Sequence, residues 1–191
     1  MGTGDGKAVL ARAARWPSAL VVGIDADRAA IADASRRAAR PPKKGGLPNA
    51  LFVVASAEAP PEELAGRVDE LTIQFPWASL LRGTLALDDA VAAGIAGLLA
   101  PAGRMTALVA PAARDGLAGL PTTADLLDGA APALAARWLA HGVTLTDLRD
   151  ATSAEVAASG SSWAKRLLAG RSAAERPVAR LSLRRTSGVR S

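Results

Sequence analysis

A chain of 191 residues, half of them apolar and 21% charged, is long enough for one domain with a real core and too apolar for a disordered segment. It has no cysteine and a single histidine, His141, so disulfides, thiolate metal sites and multi-histidine centres are excluded and no metal is expected. No apolar run approaches the roughly 20 residues of a membrane span, and Met1 to Asp5 lacks the regions of a signal peptide, so a cytoplasmic protein without membrane contact is expected.

The formal net charge of +5 is concentrated in two places. Arg36, Arg37, Arg40, Lys43 and Lys44 form one basic segment with no acid among them. A second runs from Ser161 to the end, where eight basic residues face one acid, Glu175. The rest of the chain is net acidic. Two basic segments on an acidic body suit contact with a nucleic acid, because local field and not net charge attracts phosphate. The alternative is a solvated loop and a frayed tail.

In chain order, a glycine-rich turn, Gly2-Thr3-Gly4-Asp5-Gly6, leads into a helix from Lys7 to Arg15 that Trp16-Pro17 stops. Ala19 to Ile24 reads as a buried strand with Asp25 at its carboxyl end. An alanine-rich helix spans Asp27 to Arg40, and Pro41 to Pro48 is a loop by its turn residues. Leu51 to Ala55 is the next strand, followed by Ser56-Ala57-Glu58-Ala59 and a short helix near Glu62. A buried strand from about Asp69 to Phe75 runs into Gln74-Phe75-Pro76-Trp77-Ala78-Ser79-Leu80-Leu81-Arg82-Gly83. Helix Leu87 to Ala100, strand Arg104 to Val109, a long helix Ala124 to Ala140 ending at His141-Gly142, and strand Val143 to Leu148 come next. Thr152 to Ala158 and Ser161 to Leu168 are short helices, the second with Ser161 as N-cap. The last strand, Val178 to Arg184, alternates apolar and polar as an exposed antiparallel strand does.

Strands alternating with helices predict a doubly wound α/β sheet. In that fold the glycine turn follows a buried first strand, and only Met1 precedes Gly2 here. The chain is therefore expected to lack the first strand, through a start assigned too late or a damaged copy; intact downstream motifs favour the former.

The glycine turn and Asp25, 21 residues after Gly4, point to a nucleoside cofactor whose ribose the acid holds. The six-position dinucleotide spacing fails, since the third glycine is Gly6 and Lys7 follows. S-adenosylmethionine needs no pyrophosphate cradle, so a methyl donor is favoured. Glu58 is read as an acceptor for the cofactor adenine, or as an acid in the first turn of a helix. Gln74 and Trp77 arrive at a strand end, where an amide reads a base edge and an indole stacks on it. Four of the six aromatic residues are tryptophan. Trp16 and Trp138 are expected in the core; Trp77 and Trp163 are expected to clamp a flipped base. His141 is expected to meet the last carbonyls of its helix.

Gly2-Thr3-Gly4-Asp5-Gly6, Gly23-Ile24-Asp25-Ala26, Phe75 to Gly83 and Ser161-Ser162-Trp163-Ala164-Lys165-Arg166-Leu167 resemble, in order and spacing, the 16S ribosomal RNA adenine-1408 N1-methyltransferases of the kanamycin–apramycin resistance type. The likeness covers nearly the whole chain. It implies a class I S-adenosylmethionine-dependent methyltransferase fold in one domain, methylation of adenine N1 in the decoding site of the 30S subunit, aminoglycoside resistance, and a monomer. It places Gly2, Gly4, Asp25, Ala57, Glu58, Gln74, Ser79 and Ser161 at the cofactor, and Trp77 and Trp163 on the target adenine with no general base. Arg36, Arg37, Arg40, Lys43, Lys44, Lys165, Arg166 and Arg171 would hold the rRNA backbone. Gln74 stands where the family often has Asn, a mild change because both carry a primary amide. A methyltransferase for another RNA or a small molecule, and an inactive RNA-binding remnant, are the other readings.

Overall fold

The computed structural model describes residues 1–112, 119–162, 164–165 and 177–187. The expectations for Trp163, Arg166 and Arg171, and for the helix beyond Lys165, lie outside the described residues. The elements are α1 (Lys7–Arg15), β1 (Val21–Asp25), α2 (Arg28–Ala38), β2 (Ala50–Val54), β3 (Val68–Gln74), α3 (Ala78–Thr84) and α4 (Asp89–Leu98). They are followed by β4 (Leu99–Val109), α5 (Thr123–Leu127), α6 (Ala131–Ala140), β5 (Val143–Asp150), α7 (Ser153–Ala158) and β6 (Ala179–Arg185).

The strands form two hydrogen-bonded groups. β1 pairs with β2 in parallel, and the second group has the order β3-β4-β6-β5. β3 and β4 are parallel, while β6 runs antiparallel to both β4 and β5. A seam separates β1 from β3. Met1 lies at one end of it, donating through its amino group to Thr72 O at 2.9 Å, and Gly2 N–H donates the other way, to Ile24 O at 2.8 Å. One apolar layer joins the two groups beneath the seam: Met1 and Ile24 are buried with Leu71, Ile73, Met105, Leu181 and Leu183.

The pleat of the larger group is one-sided. Leu71, Ile73, Met105, Ala107, Leu181 and Leu183 point into the core, while Glu70, Thr72, Arg104, Thr106, Ser182 and Arg184 occupy the other face. β3 is thus not buried on both sides as its apolar run suggests. Helix ends follow their polar caps: Asp27 accepts from Ala29 and Ala30 N–H, and Thr122–Asp125 and Thr152–Glu155 form reciprocal capping boxes.

Several expectations change. The long helix from Ala124 to Ala140 is two helices, α5 and α6. Gly129 between them has φ 104°, a value that ends α5, and Pro132 starts α6 in a position where its missing N–H costs nothing. Trp138 is fully buried, and its indole N–H donates to Thr84 O at 3.2 Å. Trp16 is not core: it closes α1, is 43% exposed, and is flanked by Arg12 and Arg15 guanidinium groups 4.9 and 5.3 Å from its ring centre. A turn follows at once, with Ala19 N–H donating to Trp16 O at 3.1 Å, and the indole stays at the surface. His141 ends α6, and its ring faces Asp89 at 3.5 Å; the expected side-chain contact with the last carbonyls is replaced by this pair.

Candidate active site

Three glycines at positive φ shape the first turn: Gly2 at 68°, Gly4 at 51° and Gly6 at 69°. At Gly6 a Cβ would also lie 2.5 Å from Ala34 Cβ and 2.7 Å from a Phe52 ring carbon, so only hydrogen fits between α2 and β2. Asp25 braces the turn. Its carboxylate accepts from Gly4 N–H at 2.7 Å and from Asp27 N–H at 2.9 Å, joining the end of β1 to the turn and to the cap of α2. Asp5 accepts from Lys7 Nζ at 2.8 Å and from Ser162 Oγ at 2.7 Å. Burial raises the Asp5 carboxyl, but the Lys7 and Ser162 bonds outweigh it, and its pKa lies below the usual carboxylate range. The Ser162 contact ties the stretch just after α7 to the glycine turn across 157 residues.

The second wall comes from the loop after β3. Phe75 has φ 51° and Ala78 φ 48°, left-handed values that a side chain disfavours. Strain of this kind costs on the order of 1–3 kcal/mol per residue and persists only where the surroundings hold it. The buried Pro76 between them turns the chain so that Trp77, at the N-cap of α3, is 55% exposed. α3 is not among the helices expected from the sequence, although Ser79-Leu80-Leu81-Arg82 has ordinary helix formers.

These two walls enclose a cavity of about 330 Å³ beyond the carboxyl ends of β1, β2 and β3. Gly2, Gly4 and Asp25 line one side, Ala57 and Glu58 a second, and Trp77 and Ser79 a third. Glu58 heads no helix; residues 57–59 form a bend and the next helical turn starts at Glu62, leaving Glu58 exposed at the cavity. Leu80, Ile24 and Met1 also line it. Those three apolar residues were missed in the sequence, where only their proximity to the motifs marks them. Thr3 Oγ1 is buried in the turn with no partner among the described residues.

Gln74 and Ser161 do not line the cavity. The strand pleat sends the Gln74 side chain to the face that Glu70 and Thr72 share, not to the pocket floor. The exposed residues Arg36, Arg37, Arg40, Lys43 and Lys44 gather at the far end of α2, one helix length from the cavity, about 16 Å for 11 residues. Arg36 pairs with Asp33 at 3.4 Å. Lys165 is exposed.

Charge decides what this cavity accepts. Its described lining carries two carboxylates, Asp25 and Glu58, and no lysine, arginine or histidine. Such a site disfavours a pyrophosphate and favours a nucleoside bearing positive charge. Its volume lies within the usual range for small-molecule sites. Asp25 suits ribose hydroxyls, Glu58 an exocyclic amine, and the apolar floor a flat base. The residues present therefore fit S-adenosylmethionine.

An open α/β sheet with an antiparallel final strand, and a glycine turn braced by an acid at the next strand end, defines the class I S-adenosylmethionine-dependent methyltransferases. The family profile described as NpmA, 16S rRNA (adenine(1408)-N(1))-methyltransferase, matches residues 1–181. The 16S rRNA (adenine(1408)-N(1))-methyltransferase of Streptoalloteichus hindustanus is 40% identical over 177 residues, covering 90% of this chain and 80% of that protein. Among solved structures, the 16S rRNA methyltransferase KamB superposes with a TM-score of 0.85 at 35% identity, covering 97% of this chain and 86% of that one. The 16S rRNA (adenine(1408)-N(1))-methyltransferase from Catenulisporales acidiphilia, solved with cosubstrate SAM, gives 0.84 at 28% identity, covering 100% and 85%. The chain belongs to the 16S rRNA (adenine(1408)-N(1))-methyltransferase family.

Proposed function

We propose that this chain transfers a methyl group from S-adenosylmethionine to N1 of adenine 1408 of 16S rRNA, as its relatives are named for doing. The substrate is the decoding site of the assembled 30S subunit in the cytoplasm, the enzyme acts as a monomer, and the modification protects the ribosome from aminoglycosides. The observation that carries this reading is the cavity whose described lining has two carboxylates and no basic side chain, with an exposed indole at its rim.

S-adenosylmethionine supplies, when bound, an electrophilic sulfonium methyl. Gly2, Gly4, Asp25, Ala57, Glu58 and Ser79 hold the nucleoside and its charge, while Gln74 and Ser161 lie off the cavity wall. Adenine N1 bears a free lone pair, so no residue has to remove a proton before transfer. What the chain supplies is position: Trp77 and Trp163 stack on the two faces of the flipped base. Methylation leaves the adenine cationic, and an indole face favours that charge.

The basic residues Arg36, Arg37, Arg40, Lys43 and Lys44, with Lys165, Arg166 and Arg171, hold phosphates. Because the first five lie at the far end of α2, the bound RNA runs along that helix and only one base enters the cavity. Primer extension on 30S subunits treated with protein and donor tests the reaction. A new stop one nucleotide before adenine 1408 is expected; an unmarked adenine with donor-saturated enzyme overturns it.

A further inference from the structure

The polar face of the larger sheet group carries a second cavity, of about 520 Å³, that spans β3, β4, β6 and β5 with Arg12 of α1 at its side. Its described lining holds four arginines, Arg12, Arg104, Arg180 and Arg184, against one acid, Glu70. The cavity with Asp25 and Glu58 has the opposite sign, and the two share no lining residue.

Two of the four arginines are neutralised. Arg12 pairs with Glu70 at 2.8 Å, and Arg180 pairs with Asp147 at 3.5 Å and Glu155 at 3.1 Å. Arg104 and Arg184 are exposed and have no acidic partner among the described residues. They stand directly opposite each other across β4 and β6. Cβ atoms at such positions lie about 4.5–5.5 Å apart, and like charges there repel. Glu70 is the neighbour of Arg104 on the β3 side, but Arg12 holds it. The next row on the same face is made of hydroxyls: Thr72, Thr106 and Ser182 align across β3, β4 and β6. Ser182 Oγ accepts from Arg180 Nη1 at 2.8 Å, which leaves its hydrogen available to donate. The Thr72 and Thr106 hydroxyls, half-buried at the cavity, have no partner among the described residues.

We infer that this face is a second binding site, which takes a phosphate group between Arg104 and Arg184 beside the hydroxyl row. A phosphate placed there turns the repulsion of the two cations into two charge-assisted pairs, since each guanidinium is a planar fork of N–H donors that matches two oxygens. One fork already saturates a carboxylate. Two forks and a row of hydroxyls call for the three or four oxygens of a phosphate. The volume lies in the range of small-molecule sites and leaves room for what the phosphate is attached to. Two sources share that chemistry: a backbone diester of RNA, which rests on the substrate proposed above, and a free phosphate ester.

The probe is inorganic phosphate, titrated against chloride at equal ionic strength so that screening cancels. At ten times its dissociation constant, phosphate is expected to raise the melting temperature of the chain by about 3–6 °C. Arg104→Gln/Arg184→Gln is expected to lose most of that shift, while its melting temperature in chloride holds or rises because a like-charge pair is gone. Arg184→Gln alone, the milder change, is expected to lose the larger part of it too. No phosphate shift in the unaltered chain overturns the inference, and so does a shift of equal size in the variants. Affinity for 30S subunits then separates the sources. A several-fold weaker affinity of the double variant, with a salt dependence shallower by about one to two phosphate contacts, assigns the site to the RNA backbone. An unchanged affinity beside a lost phosphate shift assigns it to a free phosphate ester. Neither measurement reads methyl transfer, so an unmarked adenine leaves the phosphate site standing, and a missing phosphate shift leaves the proposed reaction standing.

Discussion

The two sides of the seam are built on different physics. The larger group buries Trp138, Leu81, Leu85, Leu134, Leu181 and Ile95 almost completely, and its four strands form one hydrogen-bonded sheet. The smaller one has two strands, leaves Leu51 and Val54 half exposed, and packs against α1 and α2 mainly through alanines: Ala13, Ala34, Ala38 and Ala50 with Leu10. Small side chains bring helix and strand backbones close but bury little area per residue, so most of the hydrophobic stabilisation resides in the larger group. The cavity lies across the boundary. Gly2, Asp25 and Glu58 come from the smaller side, and Trp77, Ser79 and Leu80 from the loop that follows β3. A rigid half presents the base-stacking loop, and a less anchored half presents the nucleoside site.

That contrast is sharpest in the core. Trp138→Ala is expected to cost about 3–5 kcal/mol in denaturant unfolding, because it empties a fully buried site and leaves Thr84 O without its donor. A loss under 1 kcal/mol would break the view that the larger group carries the stability. Gly6→Ala strikes the other side. Overpacking against Ala34 and Phe52 together with the left-handed φ gives about 2–4 kcal/mol, with S-adenosylmethionine binding weakened beyond tenfold by calorimetry.

Trp77→Ala separates function from folding. With the indole 55% exposed, stability should move by less than about 0.5 kcal/mol, while methylation falls about 5- to 150-fold for the loss of one stacked base. Melting temperature and initial rate on 30S subunits measure the two. Acidity probes the seam next. The Met1 amine has a folded pKa near 6 against 8.0 unfolded, lowered first by burial, raised in part by Asp25 and lowered by Arg12. The unfolded chain binds more protons between these values, so stability rises with pH from 6 to 8, by an amount on the order of 2 kcal/mol. In the larger group the sign is the same but the window is lower. Bonds from Arg149 and Thr152 hold Glu155 at about 2, so its stabilisation is full above about 4.5 and drains as pH falls toward 2. Denaturant midpoints across pH 2–9 resolve both windows. The smallest effect is Ser162→Ala, about 1 kcal/mol for the lost bond to Asp5, with a rate loss larger than the stability loss if that bond positions the closing segment.

Much of this was legible in the residues. The boundaries of α1 and the positions of the six described strands follow from apolar runs and turn residues, because period-two and period-3.6 patterns are local, although β4 begins at Leu99, inside the expected helix, and not at Arg104. The glycine turn, Asp25, Glu58 and the Pro76-Trp77 loop were visible as motifs, and the cavity gathers them. The misses are instructive. Trp16 and Trp138 both sit in apolar helical surroundings, and only the direction in which each helix end leaves the sheet separates a surface indole from a core one. The helix from Ala124 to Ala140 broke because one glycine at φ 104° outweighs a run of alanines. Gln74 belongs to the right motif, but pleat parity sends its amide to the other face.

Local chemistry alone determined the alternation of strands and helices, the acid at the end of β1 and the glycine turn, since each needs only near neighbours to be specified. Which carboxylates share a cavity whose described lining holds no base, and how Ser162 reaches Asp5 from 157 residues away, were decided by the tertiary structure. Those depend on where distant segments meet, and pairing across a sheet is set by packing that no window of the chain contains.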